Sequence, residues 1–247
     1  VGFKLGALPE PRASVTKRVT LMKPAMRILI LLSVLYSCLL QAADYPDPSR
    51  WDYTIGGFAL EDEIVQFEKG DIVATGSSSV RFWRHRIHDD LSPLTIIPRG
   101  FGGSNMNDVL HHMETLVLKH EPRAVILYEG DNDVAQNVST EKIMQTFQAF
   151  ISMVHKPLPE TRIYIIAVKP SISRASMWPA MVEVNSRLKR LCNSDERLIY
   201  IDVATPMLNK DGSIREDLFV TDQLHMNQKG YDIWRDTIAP VLIAGES

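Results

Sequence analysis

Five short runs rich in β-branched residues, each followed by a longer stretch with apolar residues at helical spacing, constrain this chain more than any other feature. The runs are DIVATG (71–76), LTIIP (94–98), RAVILYEG (123–130), RIYIIAVKP (162–170) and RLIYIDV (197–203). They are too short and too β-branched for helices, whereas 80–88, 105–118, 140–154, 178–191 and 228–243 read as helices. In 140–154, for example, Ile143, Met144, Phe147, Phe150 and Ile151 share one side. A helical lead-in over 51–70 ends at the Lys69-Gly70 turn. Strands alternating with helices predict a parallel sheet. The nearly unbroken apolar segments VILY and IYIIAV predict strands covered on both faces. The expected fold is therefore α/β: a flavodoxin-like three-layer sandwich of about five parallel strands with helices on both faces.

Composition sets the bounds. The chain has 247 residues, 45% hydrophobic and 23% charged, with a formal net charge of -3. That suffices for one sizeable core and offers no basic footprint for nucleic acid. Lys23 and Arg27 precede an apolar run over 28–40, closed by Gln41, Ala42 and Ala43. A basic start, a short apolar stretch and small residues at its end predict a secretory signal over 22–43, cut after Ala42 or Ala43. The run is shorter than the roughly 20 apolar residues that span a bilayer, so no stable membrane span is expected. Residues 1–21 read as an upstream extension before Met22 or Met26, and 44–247 as a single domain exported to the periplasm or the medium. Cys38 would leave with the signal; Cys192 then stands alone, a buried inert thiol rather than a nucleophile.

In open parallel sheets ligands bind beyond the carboxyl ends of the strands. At those points stand Gly76-Ser77-Ser78-Ser79, Gly100-Phe101-Gly102-Gly103-Ser104-Asn105, Gly130-Asp131-Asn132-Asp133 and, before the last helix, Asp222-Gln223-Leu224-His225. Each alone has an ordinary reading: a serine N-cap, a tight turn, Asx-turn chemistry, a surface ion pair. The second is no dinucleotide fingerprint, because Asn105 stands where the third glycine belongs. Four such loops in register with the strands carry more than any one of them.

Together the loops resemble the four sequence blocks of the SGNH (GDSL-type) hydrolase family, over a span from about Trp51 to the C-terminus. Ser77 replaces the usual aspartate, and Pro98 stands before Arg99 where relatives often carry Asn. The resemblance is nearest to bacterial exported members reading GSSS, RGFGG and GDND. It implies Ser78 as nucleophile, His225 as base, Asp222 as its partner, and an oxyanion hole from the Ser78 and Gly103 N–H groups and the Asn132 amide. It also implies a carboxylic ester hydrolase cleaving small acyl (acetyl or short-chain) esters, possible substrates including acylated carbohydrate, through an acyl-serine intermediate. It implies no cofactor and no metal, and a small-molecule ester as the partner; the oligomeric state is left open.

The residue types suit that chemistry. A serine hydroxyl needs a base to take its proton as it attacks. An imidazole, titrating near about 6.5, does this at neutral pH when a carboxylate fixes its tautomer. No G-x-S-x-G is present, which argues against the α/β-hydrolase elbow, and the lack of a lid insertion disfavours a long-chain lipase. Arg81 and Trp178 are candidates to line the substrate pocket, their alternatives being a surface salt bridge and a core aromatic. Asp131 and Asp133 are expected to pin the Asn132 loop through backbone hydrogen bonds. His85, His88, His111, His112 and His120 read as solvated helix faces. Two competing functions are a non-catalytic ligand-binding protein on the same fold, and a metal-dependent phosphoesterase using Asp131, Asp133, Asp222 and the histidines.

Overall fold

A computed structural model describes Gly2 and residues 43–247; the rest of the upstream extension, Cys38 and all but Ala43 of the expected signal lie outside the described residues. The strands are β1 (Ile72–Gly76), β2 (Ile96–Gly100), β3 (Ala124–Tyr128), β4 (Arg162–Ile166) and β5 (Leu198–Ile201). The helices are α1 (Asp52–Val65), α2 (Ser78–Trp83), α3 (Ile87–Asp90), α4 (Met106–His111), α5 (Met113–Leu116), α6 (Asp131–Ala135), α7 (Thr140–His155), α8 (Trp178–Cys192) and α9 (Gln228–Glu246). The sheet runs β2-β1-β3-β4-β5 with every neighbouring pair parallel. The chain therefore reverses its direction across the sheet between β1 and β3, which opens a crevice at their carboxyl ends. Among the described residues, no helix is long and apolar enough to cross a membrane.

Alternation along the strands builds two cores. Val73, Ile97, Val125, Leu127, Ile163 and Ile165 face one side, where α1, α4, α5, α7 and α8 pack. Their neighbours Ile72, Ala74, Ile96, Ile126, Tyr164 and Ile166 face the other, under α2, α3 and α9. Helix α7 starts where the Ser139 hydroxyl accepts the Lys142 N–H at 3.2 Å. It buries Ile143, Phe147, Phe150 and Val154 on one stripe; each such side chain is worth about 1.5–3 kcal/mol of transfer free energy. On the opposite face Trp83 and Trp234 meet edge-on at 5.5 Å. Cys192 is buried, and that burial pushes its thiol up to about 12, as expected of an inert side chain.

Three expected helices are interrupted. The 80–88 segment is two short helices, α2 and α3, because Trp83 is buried and its indole N–H donates to Asp90 at 2.7 Å, which folds the chain back on itself. The 105–118 segment breaks at His112, whose backbone leaves helical geometry (φ -97, ψ 14) between α4 and α5. The lead-in helix stops at Val65, where Gln66 turns left-handed, short of the Lys69-Gly70 turn. Arg99, on β2, is fully buried between Glu61 and Asp62 of α1 and stacks over Phe58 and Phe67, with its carbon at 5.1 and 4.8 Å from the ring centres. Its guanidinium also donates to the Pro98 carbonyl at 3.0 Å, so Pro98 joins this anchor through its backbone oxygen.

Gly76 ends β1 with φ +139, and a Cβ there would overlap the Tyr128 carbonyl of β3. The same carbonyl accepts the Ser77 N–H at 3.2 Å. This close approach lets the chain leave β1 and enter α2 at the crevice. Gly76→Ala is expected to cost about 3 kcal/mol or more in urea unfolding, since it combines a strained φ with a steric overlap in the sheet; a loss within experimental error would remove Gly76 as a determinant of this turn.

Candidate active site

Ser78 is the first residue of α2, with Ser77 extended before it as N-cap. The partly buried Ser78 hydroxyl lies 3.0 Å from Nε2 of His225. Nδ1 of the same ring lies 2.6 Å from Oδ2 of Asp222, while Oδ1 of Asp222 accepts the Leu224 and His225 N–H groups, both at 2.9 Å. The local fold imposes this arrangement. Gln223 adopts a left-handed backbone (φ 58), and Val220 N–H donates to the His225 carbonyl at 2.9 Å, closing a tight loop ahead of α9. The Phe82 ring meets the imidazole edge-on at 5.0 Å. Burial acts to raise the Asp222 pKa, but the hydrogen bonds from His225 and the two backbone N–H groups prevail and hold its carboxyl down at about 2. It is therefore an anion across the working pH range.

The other two loops arrive at the same cavity, of about 280 Å³, which Ser78, Gly103, Asn132 and His225 line together. Gly103 has φ +84, which favours glycine, and among the described residues no main-chain or side-chain acceptor takes its N–H or that of Ser78. The Asn132 amide is held at both ends: its nitrogen donates to the Ser104 carbonyl at 2.8 Å, and its oxygen accepts Arg174 at 2.9 Å. That orientation leaves one amide hydrogen unassigned. A hydroxyl hydrogen-bonded to a carboxylate-fixed imidazole, beside uncommitted N–H donors, is an arrangement that can activate an oxygen nucleophile and stabilise a developing oxyanion. A larger depression of about 530 Å³, between Phe82, Val220, Asn227 and Tyr231, touches His225 and Asp222 from the far side but not Ser78. The smaller cavity is the one that Ser78 lines.

The two aspartates flanking Asn132 do different work. Asp133 pins the loop as expected: Oδ1 accepts Met106 N–H at 3.0 Å and the Tyr45 hydroxyl at 2.9 Å, and Oδ2 accepts Gly130 N–H at 3.0 Å. Asp131 does not; its carboxylate turns to Arg174, the Tyr128 hydroxyl and buried Lys169. Burial opposes its ionisation, yet the two cations hold it below the usual carboxylate range. Lys169 in turn donates to the Leu224 carbonyl at 2.9 Å, linking the Asn132 loop to the His225 loop. Lys169 and Arg174 escaped the sequence reading. A lysine closing the apolar run IYIIAV is a usable signal at the end of a strand; Arg174, in SISR, carries none.

Of the pocket candidates, Arg81 lines the Ser78 cavity and forms no ion pair among the described residues. Trp178 does not line it. Pro179 in the first turn makes Trp178 the start of α8, where it packs beside Tyr200 away from Ser78. The histidines also divide. His85 and His88 are exposed as expected, but His120 is buried, with burial the main cause of a pKa lowered to about 4. His111 and His112 sit with Asp52, their ligand atoms within 4.8 Å of one another, and none of these lines the Ser78 cavity.

The GDSL-like lipase/acylhydrolase family profile matches residues 62–233. The chain belongs to this family, and is a carboxylic ester hydrolase of the SGNH type. No match is found among curated proteins. Solved structures share the fold at low identity. A GDSL-like lipase from Bacteroides thetaiotaomicron is 18% identical, covers 77% of this chain and 98% of its own, and has a TM-score of 0.66. A family 3 carbohydrate esterase from Clostridium thermocellum is 15% identical over 73% of this chain and 100% of its own, with a TM-score of 0.55. A single-substitution variant of an acetyl xylan esterase from Geobacillus stearothermophilus is 14% identical over 70% of this chain and 96% of its own, also with a TM-score of 0.55.

Burial is the main reason that Asp133 titrates high in the folded protein, at about 6. Its unfolded value is about 3.9, so the folded state holds the proton more tightly and the group's contribution is complete below that value. It is lost as pH rises toward the folded value. Urea unfolding of wild type and Asp133→Asn should show the difference in stability (wild type minus variant) falling as pH rises from about 4 to about 7; a constant difference would mean that Asp133 does not titrate this way.

Proposed function

We propose that this protein hydrolyses small acyl esters, acetyl or short-chain, through an acyl-serine intermediate at Ser78. The observation that carries the reading is the continuous path from the Ser78 hydroxyl to Nε2 at 3.0 Å, and from Nδ1 to Asp222 at 2.6 Å. Ser78 Oγ attacks the carbonyl carbon as its proton passes to Nε2. Asp222 holds the ring in the tautomer whose Nε2 is free to accept and favours the imidazolium that forms. The Ser78 and Gly103 N–H groups and the Asn132 amide donate to the new oxyanion. Collapse expels the alcohol, which takes the proton from His225. Water then attacks the acyl group, giving its proton to His225, and the acid leaves as Ser78 regains its hydrogen.

The small volume beside Ser78 supports a short acyl group. An acetylated carbohydrate is a fitting substrate class, in keeping with the carbohydrate esterase and the acetyl xylan esterase that share the fold. Asp131 and Asp133 are both committed to protein donors, which speaks against a phosphoesterase that would use them as metal ligands. Export rests on the basic and apolar pattern of residues 22–43.

Ser78→Ala should abolish release of acetate from acetylated sugars and from a chromogenic acetate ester, without changing the urea midpoint. Wild type should be inactivated by a serine-directed phosphonate and be indifferent to chelators; a fully active Ser78→Ala would overturn the reading. Asn132→Ala should lower kcat by about 10²–10³ with a smaller change in KM, because its bond matters most in the transition state. A change confined to KM would take Asn132 out of the oxyanion site.

A further inference from the structure

The side chains around Ser78 carry positive charge without a matching carboxylate. Arg81 and Arg174 both line the cavity, while Asp222 lies behind the imidazole and Asp131 behind Arg174. Arg174 is spent on Asp131 and Asn132. Arg81 is not: among the described residues it has no ion pair and no hydrogen-bond acceptor, and its guanidinium sits 5.3 Å from the ring of neighbouring Phe82. Its neighbour Arg84 is neutralised by Glu61.

The fold brings this cation beside the nucleophile candidate. It projects from α2 one turn after Ser78. A Cβ on Gly102 would lie 2.8 Å from its Nη1, so the missing side chain there lets the guanidinium lie against the loop that presents Gly103. A side chain at 102 would meet the mobile end of Arg81 and displace its guanidinium from the loop. Arg81 and Gly102 also border a second cavity of about 500 Å³, floored by Trp51 and Phe101 and edged by Arg84 and His85. That groove is lined by no carboxylate either. An ester seated on Ser78 would pass Arg81 before entering it.

From this geometry we infer that Arg81 is an anion subsite, and that the preferred substrates are esters carrying a carboxylate close to the scissile bond. The inference rests on the ester-hydrolase reading of Ser78 and adds a substrate class to it. A guanidinium at a cavity mouth meets a carboxylate with paired N–H donors, and such charge-assisted bonds are stronger than neutral ones.

Two matched pairs of substrates test it and tell which side of the ester bears the charge. In the acyl arm, 4-nitrophenyl hydrogen glutarate is compared with 4-nitrophenyl pentanoate; in the alcohol arm, acetylated glucuronic acid with acetylated glucose. Wild type is expected to favour the charged member of at least one pair by about tenfold in kcat/KM, expressed in KM and reduced by added salt. In Arg81→Gln that ratio should collapse toward one, whichever way the neutral ester's own rate moves, and Arg81→Lys should recover part of it. No preference in either pair, or a preference that survives Arg81→Gln, would overturn the inference while leaving the esterase reading intact. Calorimetric binding of the same esters to Ser78→Ala, with and without Arg81→Gln, gives the answer independently of turnover. Tighter binding of the charged ester that needs Arg81 upholds the subsite, and equal binding overturns it. If wild type hydrolyses none of the four esters, the reading of Ser78 itself is struck.

Discussion

The buried carboxylate of Asp131 is the point on which the site depends. It meets Arg174, Lys169 and the Tyr128 hydroxyl in an interior where a lone charge would be very costly. Each partner belongs to a different part of the crevice. Tyr128 ends β3, Lys169 follows β4, and Arg174 lies in the segment leading to α8. Lys169 carries the connection to the Leu224 carbonyl, and Ser173 N–H reaches the Gln223 carbonyl at 3.1 Å. The loop bearing His225 is thus tied to the loop bearing Asn132 through one ionic cluster. Satisfied by three partners, the charge specifies a single arrangement of both loops.

The path from Ser78 through His225 to Asp222 lies nearer to water. Asp222 is about half exposed and His225 about a quarter, so their pairing adds little to stability through Coulomb attraction. Its value is in orientation. The tight turn at 222–225 fixes the carboxylate by two backbone N–H bonds before it reaches the imidazole. Buried charges hold the Asn132 loop, and a partly solvated pair stands beside the Ser78 hydroxyl. Neighbouring carboxylates are driven to opposite protonation behaviour by their surroundings: Asp131 is kept ionised by cations, and Asp133 is held high by burial although only protein donors face it.

Sheet topology supplies the convergence. With β1 and β3 adjacent and the chain running outward in both directions, Ser78 and Asn132 leave neighbouring strands at the same edge. Gly103 follows β2, on the other flank of β1. Glycine at 76 permits the close strand approach, and glycine at 102 makes room for the Arg81 guanidinium. The Arg81 guanidinium, carried by α2, thereby lies against the loop that presents Gly103.

Local features could be read from the order of residues. Strand alternation, continuous apolar runs and loop composition at strand ends are properties of a few consecutive residues, so the five-strand parallel fold and the Ser78, Asn132, Asp222 and His225 loops were legible. What spans long separations was not. Arg174 reaches Asn132 across 42 positions with no periodicity to announce it, and the breaks at Trp83 and His112 depend on packing partners elsewhere in the chain. Trp178 went the other way: Pro179 makes it a helix start, and packing against both cores takes it from the pocket. The distance from hydroxyl to imidazole, and which arginine is left without a partner, were decided only by tertiary structure, because pairing of buried charge is a property of the whole packed set.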